Sequence, residues 1–220
     1  MPIISQRLVS QYNELHTTKT YGASCHEFSL QLQVCLLDLK PQTLLEYGCG
    51  QSKLSEILAP DGVEWIRYDP AIPEYSSLEV HQADFVINTD VMEHIPEEDI
   101  NEVLTHIKSL SDCVFFNIST RLANQVLPNG ENAHCTVWPA EKWLQKIKNH
   151  FPSAHIVFSR EGDSCIIITW SSTVGQVISA IEFLKQPDCN TITDHFLKKA
   201  ERNSRTRRIQ AATNHQHSSD

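Results

Sequence analysis

At 220 residues, with 40% apolar and 20% charged side chains, the chain has the length and composition of one folded globular domain, which excludes wholesale disorder. Seven glycines and ten prolines exclude collagen-like and low-complexity classes, and no apolar run approaches the roughly 18 residues that cross a bilayer. The net charge of −9 is uneven. Residues 198–220 carry Lys198, Lys199, Arg202, Arg205, Arg207 and Arg208 against only Glu201 and Asp220, so the body is strongly acidic and a poor general binder of nucleic-acid phosphates.

The opening MPIISQRLVSQYNE lacks the basic head and apolar middle of a secretory signal, and a cytoplasmic location is expected. Residues 198–220 read as a basic, solvated tail, with disorder expected beyond about residue 200. Seven cysteines are scattered without C-x-x-C spacing, which fits free thiols in a reducing compartment better than a disulfide framework. Cys113 and Cys165 lie in strand-like apolar runs and read as small core residues. Eleven histidines include no H-E-x-x-H or H-x₃-H pattern, so no structural zinc site is expected.

In chain order, FSLQLQVCLLDL (28–39) has helical spacing and stops before Pro41. TLLEY (43–47) is a short buried strand closing on a glycine turn, and SKLSEILA (52–59) restarts as a helix with Ser52 as N-cap. VEWIRYD (63–69) is a second strand, followed by a proline-bounded loop over 69–75. ADFVINTDV (83–91) is a third, and EEDINEVLTHIKSL (97–110) is an amphipathic helix introduced by Pro96 and acids. CVFFNIS (113–119) is a fully apolar strand and PAEKWLQKIKNHF (139–151) a helix. HIVFSR (155–160) and SCIIITW (164–170) face each other across Glu-Gly-Asp as an antiparallel hairpin. VGQVISAIEFLKQ (174–186) is a weaker amphipathic stretch, expected on the body or at a homodimer contact. Strands that are apolar throughout and alternate with helices predict an α/β fold, a mostly parallel sheet covered on both faces.

Gly48-Cys49-Gly50 sits where a strand becomes a helix. Two glycines there permit positive φ and let a ligand approach bare backbone, and the helix start beyond favours an anion. In a doubly wound sheet this is the ligand crevice, although glycine pairs at such turns also serve packing alone. Asp69 ends the next strand at the spacing where an acid takes both hydroxyls of a ribose. Lys53 stands where a dinucleotide fold has its third glycine, which disfavours NAD, and no P-loop follows the turn.

Glu46-Tyr47-Gly48-Cys49-Gly50 resembles motif I of the class I S-adenosylmethionine-dependent methyltransferases. Asp69 matches their acid at the end of the second strand, and 83–96, through Asp90-Val91-Met92-Glu93-His94, resembles their fourth-strand segment. The resemblance covers residues 40–172 and implies a Rossmann-like sheet with a C-terminal antiparallel hairpin, within one domain over 1–197. It implies S-adenosyl-L-methionine as cofactor, with Glu46 near its methionine end, the backbone of Gly48, Cys49 and Gly50 around it, Asp69 on the ribose, and Thr89 and Asp90 lining the methionine. Glu93 and His94 are open between helix capping and a role at the substrate. Only thirteen residues separate Asp69 from Ala83, too few for the family's usual helix and third strand, so the customary adenine acid has no counterpart; Ile72 and His81 are candidates instead. Tyr21-Gly22-Ala23-Ser24, Tyr68-Asp69-Pro70 and Leu127–His134 resemble a narrower bacterial and phage-associated subset, with Asn129 and Glu131 departing from it.

The loop after CVFFNIS holds Thr120, Arg121, Asn124, Asn132 and His134 and is the expected place for acceptor specificity. Methyl transfer needs an aligned acceptor and an outlet for its proton. His134 is the candidate base because its ordinary pKa lies near neutrality, with a loop-stabilising hydrogen bond as the other reading. Arg121 and Asn132 are substrate candidates, although Arg121 equally suits a pairing with a surface acid. Trp138 and Trp143 suit a pocket wall or the core. No metal ligands are assigned, although some quinone-pathway methyltransferases have a cluster similar to Asp90, Glu93 and His94. The leading expectation is methylation of oxygen or nitrogen on a small molecule, a metabolite, sugar or nucleotide-linked compound. A nucleic-acid or protein methyltransferase gripping through the basic tail, or a non-catalytic cofactor-binding module, are the alternatives. No membrane partner is expected.

Overall fold

The computed structural model describes residues 4–18, 24–58 and 60–185. Six strands make one sheet in the order β2-β1-β3-β4-β6-β5: β1 is Thr43–Tyr47, β2 Glu64–Tyr68, β3 Phe85–Thr89, β4 Val114–Ser119, β5 His155–Arg160 and β6 Ser164–Ile168. The first four run parallel, with Leu45 opposite both Ile66 and Val86, and Asn88 opposite Phe116. β6 lies antiparallel between β4 and β5, as the expected hairpin requires.

Neighbouring residues on the central strands point into two different cores. Leu45, Val86, Phe116, Ile118 and Ile167 pack under the helices α4 (Ile100–Leu110) and α5 (Ala140–Lys148), together with Trp143 and Ile147. Leu44, Phe85, Ile87, Phe115, Ile166 and Ile168 face the opposite side, against α2 (Ser29–Leu39) and the start of α6 (Val174–Leu184). A strand buried on both faces has no polar side to show, which is why these segments read as continuous apolar runs. α4 illustrates the complementary helical pattern, burying Ile100, Val103, Leu104, Ile107 and Leu110 along one stripe.

Between Asp69 and Ala83 the chain makes one 3-10 turn, Pro73–Tyr75, and no strand, as the short spacing requires. β2 therefore pairs with β1 alone and stays partly exposed. α3 is a short helix, Leu54–Leu58, and the Ser52 hydroxyl accepts the Leu54 N–H at 3.0 Å, the capping role read for it.

One helix was not expected. α1, Gln6–Thr18, buries only Tyr12 and Leu15 fully, so its apolar stripe is too thin to stand out by periodicity. It packs with Leu8 and Val9 on Ala71, Leu127 and Ala133, the loops that follow β2 and β4.

The contacts divide the chain after Ile178, part way along α6. The first unit holds the sheet and the crevice described below, and the second begins at Ser179. The expected tail at 198–220, Cys189 and the Tyr21-Gly22-Ala23 turn lie outside the described residues. Among the described residues no helix is long and apolar enough to cross a membrane, and the six described cysteines are free thiols.

At the amino end of the sheet, the Asp84 carboxylate accepts the N–H groups of Gln42 and Thr43, both at 2.9 Å, and the Thr43 hydroxyl at 3.1 Å. These bonds hold its pKa below the ordinary aspartate value. A depressed acid stabilises the fold above its unfolded pKa of about 3.9 and loses that contribution as pH falls further. Asp84→Asn should therefore melt at lower temperature than the unaltered chain at pH 7, with the gap closing in melts taken below about pH 4.

Candidate functional site

The carboxyl ends of β1, β2, β3 and β4 converge on a crevice. Gly48 and Gly50 turn the chain there with φ of 77° and 49°, in the left-handed region. A side chain at Gly48 is excluded twice over, since its Cβ would stand 2.4 Å from Val91 Cγ2. The turn is pinned from β2. Tyr68 carbonyl accepts the N–H groups of Gly48 and Cys49, and the Asp69 carboxylate accepts those of Gly50 (2.9 Å) and Ala71 (2.8 Å). The Arg67 guanidinium donates to the carbonyls of Gly50 and Ser52 and to the Tyr75 hydroxyl, over whose ring it lies at 4.1 Å.

Two cavities adjoin at this turn. One of about 100 Å³ is lined by Gly48, Gly50, Asp69, Asp90 and Val91 and covered by Tyr12 and His16 of α1. A more polar one of about 380 Å³ shares Gly50, Ala71 and His16 with it and adds Gln51, Ile72 and Tyr75. α1 is tied down over the opening. Tyr12 hydroxyl donates to Ala133 carbonyl at 2.8 Å, Asn13 amide to Ala71 carbonyl at 2.9 Å, and Gln51 amide to His16 carbonyl at 2.9 Å.

Of the residues expected at the cofactor, Gly48, Gly50, Asp69 and Asp90 line the smaller cavity, while Glu46, Cys49 and Thr89 are buried behind it. Glu46 accepts the Trp65 indole N–H at 3.1 Å on one oxygen, and Oε1 is buried without a hydrogen-bond partner. Burial pushes its carboxyl up, partly offset by the Ser52 hydroxyl, the Trp65 indole and the Arg67 charge. Burial likewise pushes the Cys49 thiol up to about 12, so behind the cavity it stays a neutral thiol and not a nucleophile. Ile72 borders the larger cavity; His81 is exposed and lines neither.

A second group gathers at the β3 and β4 ends. Asp90 has φ of 55°, held by its N–H to the Asn117 carbonyl (2.9 Å) and by Asn117 Nδ2 donating to its Oδ1 (2.7 Å). Glu93, fully buried in the 3-10 turn Met92–His94, accepts the Ser119 N–H at 2.9 Å. His134 comes from the following loop to sit edge-on to His94, their ring centroids 4.7 Å apart. Burial pushes His94 down to about 3, with the His134 ring adding to the effect, and lowers His134 as well. Burial and the Asp90 charge raise Glu93 well above the ordinary carboxylate value.

The substrate candidates divide. Asn132 ties its own loop, its Oδ1 accepting the N–H groups of Ala123 and His134 and its Nδ2 donating to the Ala123 carbonyl. Arg121 pairs with Asp163 at 3.3 Å, while its carbonyl faces His134. Trp138 and Trp143 pack against one another in the α4–α5 core, their rings tilted at 45° with centroids 4.6 Å apart, and line neither cavity. Sequence reasoning passed over Asn88 and Asn117, buried amides inside apolar strands; Asn88 donates to the Tyr47 carbonyl where β1 and β3 end. A polar residue interrupting FVINT or VFFNIS was the available signal.

A family model described as a methyltransferase domain matches residues 21–162. No curated protein matches the chain. Among solved structures, a 1,6-didemethyltoxoflavin-N1-methyltransferase of Burkholderia thailandensis, with its substrate and S-adenosylhomocysteine bound, superposes with TM-score 0.51 at 13% identity, over 74% of this chain and 84% of that one. The small RNA methyltransferase HEN1 gives TM-score 0.50 at 12% identity, over 67% of this chain and 25% of that one. At these identities the likeness is one of fold.

Two outcomes test the turn. Gly48→Ala should lose at least about 2 kcal/mol, from positive-φ strain and the Val91 clash; adding Val91→Ala should restore part of it in denaturant melts, because only the clash is relieved. Glu46→Gln should raise the melting temperature at pH 7, since a raised acid opposes folding above its unfolded pKa of about 4.3, and the gain should vanish as pH falls below that value.

Proposed function

The chain belongs to the methyltransferase-domain family and is a class I S-adenosylmethionine-dependent enzyme, and from that premise we propose that it methylates an oxygen or nitrogen of a small molecule admitted under α1. The crevice suits the cofactor on its own terms. A buried carboxylate oxygen of Glu46 has no partner, as a site for an ammonium group would leave it. The bare turn at Gly48 and Gly50 leaves room against the backbone. Asp69 already accepts two N–H groups, but a carboxylate offers about four lone-pair sites, so ribose hydroxyls are accommodated beside them.

When bound, S-adenosylmethionine supplies a methyl group on a positively charged sulfur. What the protein contributes is position and dryness. Asp69 and the glycine turn fix the nucleoside part, Glu46 the amino acid part, and the apolar floor of Val91, Ile95 and Val103 excludes water from the reacting edge. The acceptor loses its proton at the corner formed by Asp90, His94 and His134, where His134 is half-buried in the loop that follows β4.

The observation that carries the small-molecule reading is the roof. Tyr12, Asn13 and the His16 carbonyl bind loops from both sides of the crevice, over a cavity of about 100 Å³ that Asp90 lines. A small substrate also occupies the Burkholderia enzyme. In this reading Arg121 and Asn132 shape the acceptor loop through their hydrogen bonds to it.

Titration calorimetry should show S-adenosylhomocysteine binding that weakens about ten-fold to a hundred-fold in Asp69→Asn, the loss of a charge-assisted pair of hydrogen bonds. Unchanged affinity would remove Asp69 from the cofactor site. A labelled methyl donor incubated with a metabolite extract should mark small molecules; label confined to RNA or protein fractions would overturn the acceptor class.

A further inference from the structure

Two acids, Asp69 and Asp90, line the crevice under α1, with Glu46 buried behind it, and among the described residues no lysine or arginine lines it. S-Adenosylmethionine would bring two cationic groups there, the ammonium of its amino acid end and the sulfonium. In the placement proposed, Glu46 takes the ammonium and Asp69 the ribose hydroxyls. The remaining charge is on the sulfur that joins those two ends, and the remaining acid is Asp90.

Asp90 is firmly held. It follows β3 with φ of 55°, where a non-glycine residue is strained and persists only if its surroundings over-determine it. Asn117 does so twice, its carbonyl accepting the Asp90 N–H at 2.9 Å and its Nδ2 donating to Asp90 Oδ1 at 2.7 Å. Asn117 is itself buried between Phe116 and Ile118 of β4, and its Oδ1 has no hydrogen-bond partner. Burying an amide there is costly in itself, and what it secures is the position of Asp90.

Charge also concentrates on Asp90. Burial, and then the Asp90 charge, push the neighbouring Glu93 well above the ordinary carboxylate value, so Glu93 keeps its proton and the negative charge of the pair rests on Asp90. The walls supplied by Tyr47, Tyr68, Val91, Ile95 and Val103 are largely apolar, and a charge pairing between such walls is stronger than one at an open surface.

We propose that Asp90 is the counter-charge of the cofactor's sulfonium and that Asn117 is the residue that positions it. This pairing rests on the cofactor placement proposed for Glu46 and Asp69. Its consequence is to separate the methyl donor from the spent donor. As the acceptor's lone pair bonds to the methyl carbon, the carbon–sulfur bonding pair returns to sulfur, which becomes a neutral thioether. The positive charge passes to the acceptor atom. Asp90 then has no cation to hold on the cofactor, so S-adenosylhomocysteine is retained by one interaction fewer and gives way to fresh S-adenosylmethionine.

Titration calorimetry on the full chain tests this with three ligands: S-adenosylmethionine, S-adenosylhomocysteine, and sinefungin, in which an amine-bearing carbon replaces the methylated sulfur. Asp90→Asn keeps the side chain's size and removes its charge. It should weaken the two charged ligands about ten-fold and S-adenosylhomocysteine by about two-fold at most. Asn117→Leu should shift the same ratio in the same direction without lowering the melting temperature, because it removes an unpaired buried oxygen. Added to Asp90→Asn, it should change the ratio no further. Equal weakening of all three ligands by Asp90→Asn would show that Asp90 only shapes the crevice and would overturn the pairing. An unchanged ratio in folded Asn117→Leu would overturn the positioning role. If the unaltered chain bound none of the three, the cofactor placement itself would fall, an outcome distinct from binding that ignores ligand charge.

Discussion

One carboxylate holds the crevice open. Asp69 accepts the N–H groups of Gly50 and Ala71, joining the turn after β1 to the loop after β2. The Tyr68 carbonyl completes the join with Gly48 and Cys49. Without those bonds, four backbone donors at the sheet's carboxyl edge would need other partners, and the left-handed glycines would have no reason to keep their angles. β2 is the edge strand here, since no further strand follows it, so this pinning substitutes for the support a neighbouring strand would give. Arg67, reaching the Gly50 and Ser52 carbonyls from the same strand, serves the same end.

The edge that results is polar but buried. Glu46 and Glu93 are both buried with one oxygen satisfied and one not. Leaving such an atom unpaired costs about 1–3 kcal/mol, and the apolar cores on both faces of the sheet are large enough to tolerate it. The two positions lie apart, Glu46 in β1 and Glu93 in the 3-10 turn that follows β3. Local rules of polar satisfaction are broken at both positions.

Much of this was legible in the chain. TLLEY, FVINT and VFFNIS carry the mark of strands buried twice, and all three lie where that pattern puts them. The glycine turn and Asp69 were legible because a positive φ and a strand-end acid each restrict residue type. α1 was not, because its fit depends on Ala71, Leu127 and Ala133, which are far away in sequence. Trp138 and Trp143 could be read equally as pocket or core, and only packing places them in the core.

The amino-acid order by itself determined the alternation of strands and helices, the missing strand after Asp69 and the turn at Gly48, since each follows from local periodicity, chain length or backbone freedom. Tertiary structure alone decided that α1 roofs the crevice, that Asn117 holds Asp90 in the left-handed region, and that His134 meets Glu93 and His94 across 40 residues. Contacts of that kind are set by which loops emerge side by side at the carboxyl edge of a parallel sheet. No periodicity within a single segment encodes that adjacency.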